Sequence, residues 1–373
     1  MIYLDYAATS PVNPEVLDSF IQVNNRLFAN TSSAHKLGFE VGQLELKARQ
    51  QIAKLFKLKE NEVIFTSGAT ESNNLAIKGV CFKYSNRGKH IITSAGEHAS
   101  VLNSFHQLEE KFGFRVTYLP IYDDGKVRLD ELKKAITDDT ILVSIMAVNN
   151  EVGSINDIEE IASYLKSFPK IMFHVDATQA IGKIDLSYRD VDLVSISAHK
   201  INGFKGSGVL LKKENADLAP LLSGGGQEYS YRSGTTNFPY EVCFSKTLRI
   251  ALEQQNKHYQ YVKELNDLLR QKLSEIDDLG FNSPIDASPY ILNFHINKKA
   301  SVVSEALSNL GIYVSTQSAC SSKKTSLSHV LKAMGKSDLI SENSIRVSLS
   351  HLNKKEEMIE FASTLKTILK QIK

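Results

Sequence analysis

The sequence predicts an α/β fold: a large domain on a mainly parallel seven-stranded sheet, followed by a smaller α+β domain. Three observations carry this. Seven short β-rich runs precede residue 213, and several are apolar almost throughout, as strands are when both sheet faces are covered. Helix-like segments such as "SVLNSFHQLEEKFG" and "DIEEIASYLKSF" lie between them, the alternation that builds parallel sheets. Near Pro239 the pattern gives way to one very long helical stretch, "YEVCFSKTLRIALEQQNKHYQYVKELNDLLRQKLSEI". It exceeds the usual globular range and so is expected to cross a domain boundary.

In chain order the predicted strands are "VIFT" (63–66), "HIITS" (90–94), "RVTYL" (115–119), "ILVSIMAV" (141–148), "IMFHV" (171–175), "DLVSIS" (192–197) and "GVLLK" (208–212). After the long helix come "YILNFHI", "SIRVSLS" and three helical stretches. A length of 373 residues fits two or three domains at about 150 residues each. The expected division is 13–250 for the large domain, with 1–12 and 251–373 forming the small one.

Hydrophobic residues make up 42% and charged residues 23%, with a net charge of +2. That is a soluble globular profile without the field that nucleic acid or membrane binding calls for. No apolar run approaches the roughly 18 residues of a membrane span, and the N-terminus lacks a signal-peptide pattern. The three cysteines match neither a zinc spacing nor a disulfide framework, so a reducing cytoplasm is expected. Cys81 and Cys243 sit in apolar helical surroundings and read as buried, inert residues. Cys320 differs. It lies in "STQSACSSKKTSLSH", a small and polar stretch that reads as a solvated loop. Cysteine ordinarily prefers burial, so this position asks for a chemical reason.

In open α/β sheets ligands sit beyond the carboxyl ends of the strands. "SGATESNN" follows the first strand. Gly68 opens a turn and Ala69-Thr70 begin a helix, a combination that suits a phosphate or, at Thr70, a plain cap. Later strand ends carry His98, then Asn149, Asn150 and Glu151, then Asp176 and Gln179, then His199 and Lys200. Each alone reads equally as structural, Asp176 as a helix cap for instance. Polar clusters on successive strand ends would converge on one cleft. A lysine, an aspartate, a histidine and a phosphate cradle together fit pyridoxal 5'-phosphate. The lysine bonds its aldehyde, an acid pairs with its ring nitrogen, and a flat imidazole can stack on it.

The motifs "YLDYAATSP", "TSGATESNN", "EHAS", "NNEVG", "HVDATQA", "SAHKINGFKGSG", "GGGQEYSYRSGT", "SACSS" and "SIRVSLS" occur in this order over almost the whole chain. Together they closely resemble the cysteine desulfurases of the NifS/IscS type, in the class V aminotransferase group of fold-type I pyridoxal-phosphate enzymes. The resemblance implies roles position by position. Lys200 matches the lysine that bonds the cofactor, Asp176 the partner of its ring nitrogen, and Gln179 the contact to its 3-oxygen. His98 matches the stacking imidazole with an acid/base role. Ala69, Thr70, Ser197 and His199 match the phosphate cup. Thr235 matches a phosphate contact from a second subunit, which implies a homodimer. Asn150 and Arg346 match the clamp on the substrate carboxylate, a task suited to arginine's fork. Cys320 matches the nucleophilic cysteine.

The implied reaction converts L-cysteine to L-alanine and leaves sulfur as a persulfide on Cys320 for an acceptor protein. The nine residues "SSKKTSLSH" after Cys320 resemble the family's long-loop branch, which hands sulfur over directly. Two features depart from the family pattern: the basic "SSKKTS", and Phe204 where proline is common. With no extended tail after the last helix, the expected acceptor is a tRNA-thiolating or other sulfurtransferase rather than an iron–sulfur scaffold. The rival readings are a class V aminotransferase or lyase without sulfur chemistry, a selenocysteine lyase, and a non-enzymatic scaffold.

Overall fold

The computed structural model describes residues 1–316 and 327–372. Strand β1 (Ile2–Tyr3) opens the chain, and all seven predicted strands follow it. They are β2 (Val63–Thr66), β3 (His90–Ser94), β4 (Arg115–Leu119), β5 (Thr140–Ser144), β6 (Met172–Asp176), β7 (Leu193–Ser197) and β8 (Gly208–Lys212). They form one sheet in the order β2-β8-β7-β6-β5-β3-β4. Every neighbouring pair is parallel except those of β8, which runs antiparallel to β2 and β7. The run 141–148 overshoots β5. Ile145–Val148 stay buried, but Val148 bridges back to Ile155, so the chain folds onto itself beyond the sheet.

Helices α1 (Pro14–Arg26), α2 (Lys36–Phe56), α3 (Ala69–Lys83), α4 (Ala99–Phe112), α5 (Leu129–Ala135) and α6 (Ile158–Leu165) accompany this sheet. Side chains alternate between its two faces, as strand geometry requires. On β2, Ile64 joins Leu75, Val80, Phe105 and Leu108 of α3 and α4 in one core. Its neighbours Val63 and Phe65 join Ile52, Ile161 and Leu248 in the other. Because both faces are covered, the strands read as continuous apolar runs rather than alternating ones.

The long helix α7 (Phe238–Leu273) carries Phe244 and Leu248 into that second core. Further along, Val262, Leu265, Leu269 and Leu273 enter a separate core with Ile2, Leu4, Phe294 and Val347. There β9 (Gly280–Phe281), β10 (Ile291–His295), β12 (Ser315–Thr316) and β13 (Ser344–Ser348) form an antiparallel sheet, ordered β12-β13-β10-β9. Strand β11 (Ile312–Tyr313) pairs in parallel with β1. Among the described residues four helices follow α7 where three stretches were expected: α8 (Ala300–Asn309), α9 (His329–Ala333), α10 (Asp338–Glu342) and α11 (Lys355–Gln371). The two middle ones have five residues each, too short to show a helical period. Val330 and Leu331 of α9 pack into the core of the large sheet, although they follow α7 in sequence.

Cys81 and Cys243 are buried free thiols. Burial raises both pKa values, that of Cys243 up to about 12.

Before α7, Glu228, Tyr229 and Ser230 all hold positive φ, at 49°, 54° and 70°. Such a run of L residues is costly and needs an anchor. The Glu228 carboxylate supplies it, accepting two bonds from Arg49 at 2.7 and 2.6 Å and one from the Phe65 N–H at 2.7 Å. Arg49→Met leaves this carboxylate buried without its partner. Denaturant unfolding is expected to show a loss of about 3–5 kcal/mol, the usual cost of breaking a buried pair on one side.

Candidate active site

Strand ends and the first ten residues build the site together. Beyond β7 a single 3-10 turn, Ala198–Lys200, turns Lys200 back toward the N-terminal segment. Its Nζ donates to the Ala7 carbonyl at 2.5 Å and to the Ala8 carbonyl at 2.7 Å. At the end of β6, Asp176 is 5% exposed. Its Oδ1 accepts from the Thr178 N–H at 3.0 Å and its Oδ2 from Asn73 Nδ2 at 2.8 Å. Asp176 therefore braces a turn and also presents a buried carboxylate. Gln179 donates through Nε2 to the same Ala7 carbonyl at 3.0 Å, which places it beside Lys200.

His98 caps α4. The Ser100 N–H donates to its Nδ1 at 3.2 Å, so a neutral ring carries its proton on Nε2. The ring is accessible, yet it sits in a concavity crowded by protein. Desolvation there lowers its pKa, with Lys200 adding to the effect and Asp176 opposing it. A chain of bonds reaches it from Asp176. Asn73 Nδ2 bonds both Asp176 Oδ2 and Ser100 Oγ, the latter at 2.9 Å, and Ser100 Oγ lies 2.9 Å from His98 Nδ1. Beneath this chain Glu97 is fully buried, and desolvation pushes its carboxyl up to about 8, so it is neutral at pH 7. Its Oε1 accepts from Ser94 Oγ at 2.7 Å and the Met146 N–H at 2.8 Å.

Gly68 precedes α3 with φ 148°, and a Cβ on Gly208 would stand 2.5 Å from the Gly68 Cα. This close approach brings the start of β8 against the start of α3, with buried Ser197 paired to Gly208 from the end of β7. Ala69 and Thr70 form the first turn of that helix, where backbone N–H groups are unpaired and suit an anion. Gly68 is the cap residue, so Thr70 does not serve as one. Thr70 and His98 line one hollow. His199 points its Nδ1 to Thr9 Oγ1 at 3.2 Å, and burial with Lys200 and Lys205 nearby holds its pKa at about 4.

Arg346 reaches in from β13 and is 7% exposed. Its guanidinium pairs with Asp5 Oδ1 and donates to the Asn150 carbonyl, at 2.8 and 2.9 Å. Its Nε is buried without a partner, a donor in reserve. Thr235 stands apart, exposed on the loop before α7. Cys320 lies outside the described residues, but the chain on either side of 317–326 is fixed at the site. Ser315 pairs with Arg346 across β12 and β13. On the return, Ser328 Oγ donates to Glu151 Oε2 at 2.5 Å, and His329 Nε2 lies 2.9 Å from the Glu97 carbonyl.

The model of the family described as aminotransferase class-V matches residues 2–361. The chain belongs to the class-V aminotransferase family. Within it the resemblance is to the NifS/IscS branch. A protein named cysteine desulfurase IscS from Dictyoglomus turgidum is 41% identical, over 100% of this chain and 95% of its own. A solved structure titled NifS-like protein superposes with a TM-score of 0.93 at 37% identity, covering 100% of both chains. Another, titled SspA in complex with cysteine, gives 0.83 at 34% identity over 94% of this chain and 99% of that one. Enzymes of this family carry pyridoxal 5'-phosphate, and the residues present fit it. The glycine-lined approach at α3 leaves N–H groups for a phosphate, Asp176 offers a buried carboxylate to a ring nitrogen, and Lys200 offers an amine.

Sequence reading passed over Asn73, Ser100 and Glu97, although they lie within the motifs "TSGATESNN" and "EHAS". Asn73→Leu removes the donor to Asp176 and breaks the chain to His98. Cofactor retention, followed by visible absorbance on dilution, is expected to weaken about tenfold, as for loss of one hydrogen bond to a charged group.

Proposed function

We propose that this chain removes sulfur from L-cysteine, releasing L-alanine, and passes the sulfur as a persulfide on Cys320 to an acceptor protein. One observation carries the reading: the segment holding Cys320 departs beside Arg346 and returns on Glu151 and Glu97, at the site itself. The family likeness supports the cofactor and the reaction class.

Bound pyridoxal phosphate supplies an electron sink next to the substrate Cα. Arg346 and Asn150 hold the substrate carboxylate, and Arg346 has its buried Nε to spend on it. Lys200 would bond the cofactor's aldehyde at rest and, with its amine free, would take the substrate Cα proton. Asp176, steadied by Asn73 and the Thr178 N–H, would pair with the ring nitrogen. His98 would stack on the ring, with its Nε2 proton available for transfer. Gln179 contacts the ring's 3-oxygen. Ala69, Thr70, Ser197 and His199 form the phosphate cup.

Cys320 attacks the substrate sulfur as a thiolate. The S–S bond forms as the Cβ–S bond breaks, the electron pair leaves on carbon, and a proton replaces sulfur there. An ordinary thiol has a pKa of about 8.5, so nearby positive charge must hold Cys320 ionised. Lys323 and Lys324 of "SSKKTS" are the candidates for that charge, and neutral His98 can instead assist by taking the thiol proton.

Thr235 is exposed and free to serve a second copy, so the working form is a homodimer in which it reaches the partner's phosphate. The acceptor is a tRNA-thiolating or other sulfurtransferase, and the setting is the cytoplasm. Among the described residues no helix is long and apolar enough to cross a membrane.

Two substitutions test the roles. Lys200→Ala is expected to abolish both the visible absorbance of the bound cofactor and turnover. Cys320→Ser is expected to keep the absorbance and lose sulfide release. Parent-rate desulfuration by Cys320→Ser would overturn the role of this thiol. Transfer of trapped persulfide to an iron–sulfur scaffold, but not to a tRNA sulfurtransferase, would reassign the acceptor.

A further inference from the structure

Lys183 is a buried amine that neither the motifs nor the roles above account for. It is 8% exposed, and among the described residues its one hydrogen bond runs to Gln179 Oε1 at 2.9 Å. Gly182 aims it there. The glycine holds φ 70°, and a Cβ on it would meet the Ala251 Cβ at 2.8 Å. Lys183 therefore turns inward beneath Gln179 instead of toward solvent.

An ammonium can only donate and a carbonyl can only accept. With Lys183 on its Oε1 and the Ala7 carbonyl on its Nε2, the Gln179 amide has one possible sense. One Nε2 hydrogen is spent on Ala7, and the second is left over. Ala7 also accepts from Lys200, so an unbroken chain runs from Lys183 through Gln179 and Ala7 to Lys200.

We infer that Lys183 is a positioning residue, which locks the Gln179 amide so that its spare N–H faces the 3-oxygen of the bound cofactor. This rests on the reading of Gln179 given above. Without Lys183 the amide oxygen is buried and unpaired, and the side chain gains by rotating away. The charged surroundings fit the role. Lys200 from the turn after β7 and Arg346 from β13 face Lys183, and Asp5 already neutralises Arg346. Tyr290 presents its ring 5.7 Å away. Beyond lie His258 of α7 and His351, stacked on each other at 3.7 Å. Burial first, then the Lys200 and Arg346 charges, draws the Lys183 pKa down to about 7. Its donor to Gln179 persists in either protonation state.

The sign of the effect follows from the cofactor's own proton, shared between its ring oxygen and the lysine nitrogen. A donor to the oxygen favours the deprotonated form, so its loss raises the pH at which that proton leaves. The test is a pH titration of visible absorbance on the dimeric holoenzyme without cysteine. Lys183→Met is expected to raise the midpoint by about one pH unit, the size of one hydrogen-bond contribution. Lys183→Arg is expected to restore the parent midpoint. The cavity of about 60 Å³ beside Lys183, Tyr290, His258 and His351 has room for the larger head group. In a Gln179→Leu background, Lys183→Met is expected to shift the midpoint by less than half as much.

An unmoved midpoint in Lys183→Met overturns the proposal. So does an equal shift with and without Gln179, which would mean that the charge acts directly. If Lys183→Met does not hold cofactor, Lys183→Leu, which also lacks a donor, carries the same comparison across the two backgrounds. Since the titration contains no substrate, it reads Lys183 whatever the enzyme's substrate is. Alanine and sulfide release read the desulfurase activity separately.

Discussion

The seam along residues 4–10 is the constraint on which the rest of the site depends. A partly buried turn held between two cores must have its polar backbone groups satisfied on both sides. Toward the small sheet, the Leu4 N–H bonds Tyr313 O at 2.9 Å, the Leu4 carbonyl accepts from the Ser348 N–H at 2.8 Å, and the Ala7 N–H bonds Ser348 Oγ at 2.8 Å. Toward the large sheet, Ala7 and Ala8 carbonyls take Lys200 and Gln179, and the Ser10 N–H bonds His199 O at 2.9 Å. Asp5 adds the ion pair to Arg346. The segment thus fixes the lysine of one core relative to the arginine of the other. A loose seam would let the amine and the carboxylate clamp drift apart, and a misplacement of about 1 Å is enough to cost orders of magnitude in rate.

The same seam leaves Arg346 with a donor that, among the described residues, its structural partners do not take up. Its two terminal nitrogens are committed to Asp5 and the Asn150 carbonyl, while Nε is buried and unpartnered. A buried donor without an acceptor is costly, and such a cost persists where a ligand relieves it. A substrate carboxylate would satisfy Nε and compete with Asp5 for one terminal nitrogen. Binding would then loosen the seam on one side while tightening it on the other.

Most of the fold was legible in the sequence because the sheet is buried on both faces. That makes its strands continuous apolar runs with polar residues at their ends, and those ends hold Asp176, His98 and Lys200. The run 141–148 misled for the same reason, since Ile145–Val148 are as buried as the strand they leave. The short elements β9, β12, α9 and α10 have no period to read. The supporting residues escaped for a different reason. Asn73 and Asp176 are 103 positions apart, Lys200 and Ala7 193. Their partnerships are set by how the sheet and seam bring distant turns together, which composition and spacing along one segment do not encode. Lys183 carries no signal in the sequence, and only its burial against Gln179 distinguishes it.

Thiol chemistry adds a constraint on where the nucleophile can reside. The chain has three cysteines, and the two in the cores show what packing does to a thiol. Burial raises the pKa of Cys81 and Cys243 so far that neither is ionised near neutral pH. Each is also sealed among apolar side chains, with no route for a substrate. A core position gives a cysteine stability and takes away its reactivity. A sulfur carrier needs the reverse: a thiolate in polar surroundings that can meet both the cofactor and a second protein. Of the three cysteines, Cys320 is the one whose sequence neighbours are serines and lysines rather than core side chains, in the segment between Ser315 and Ser328.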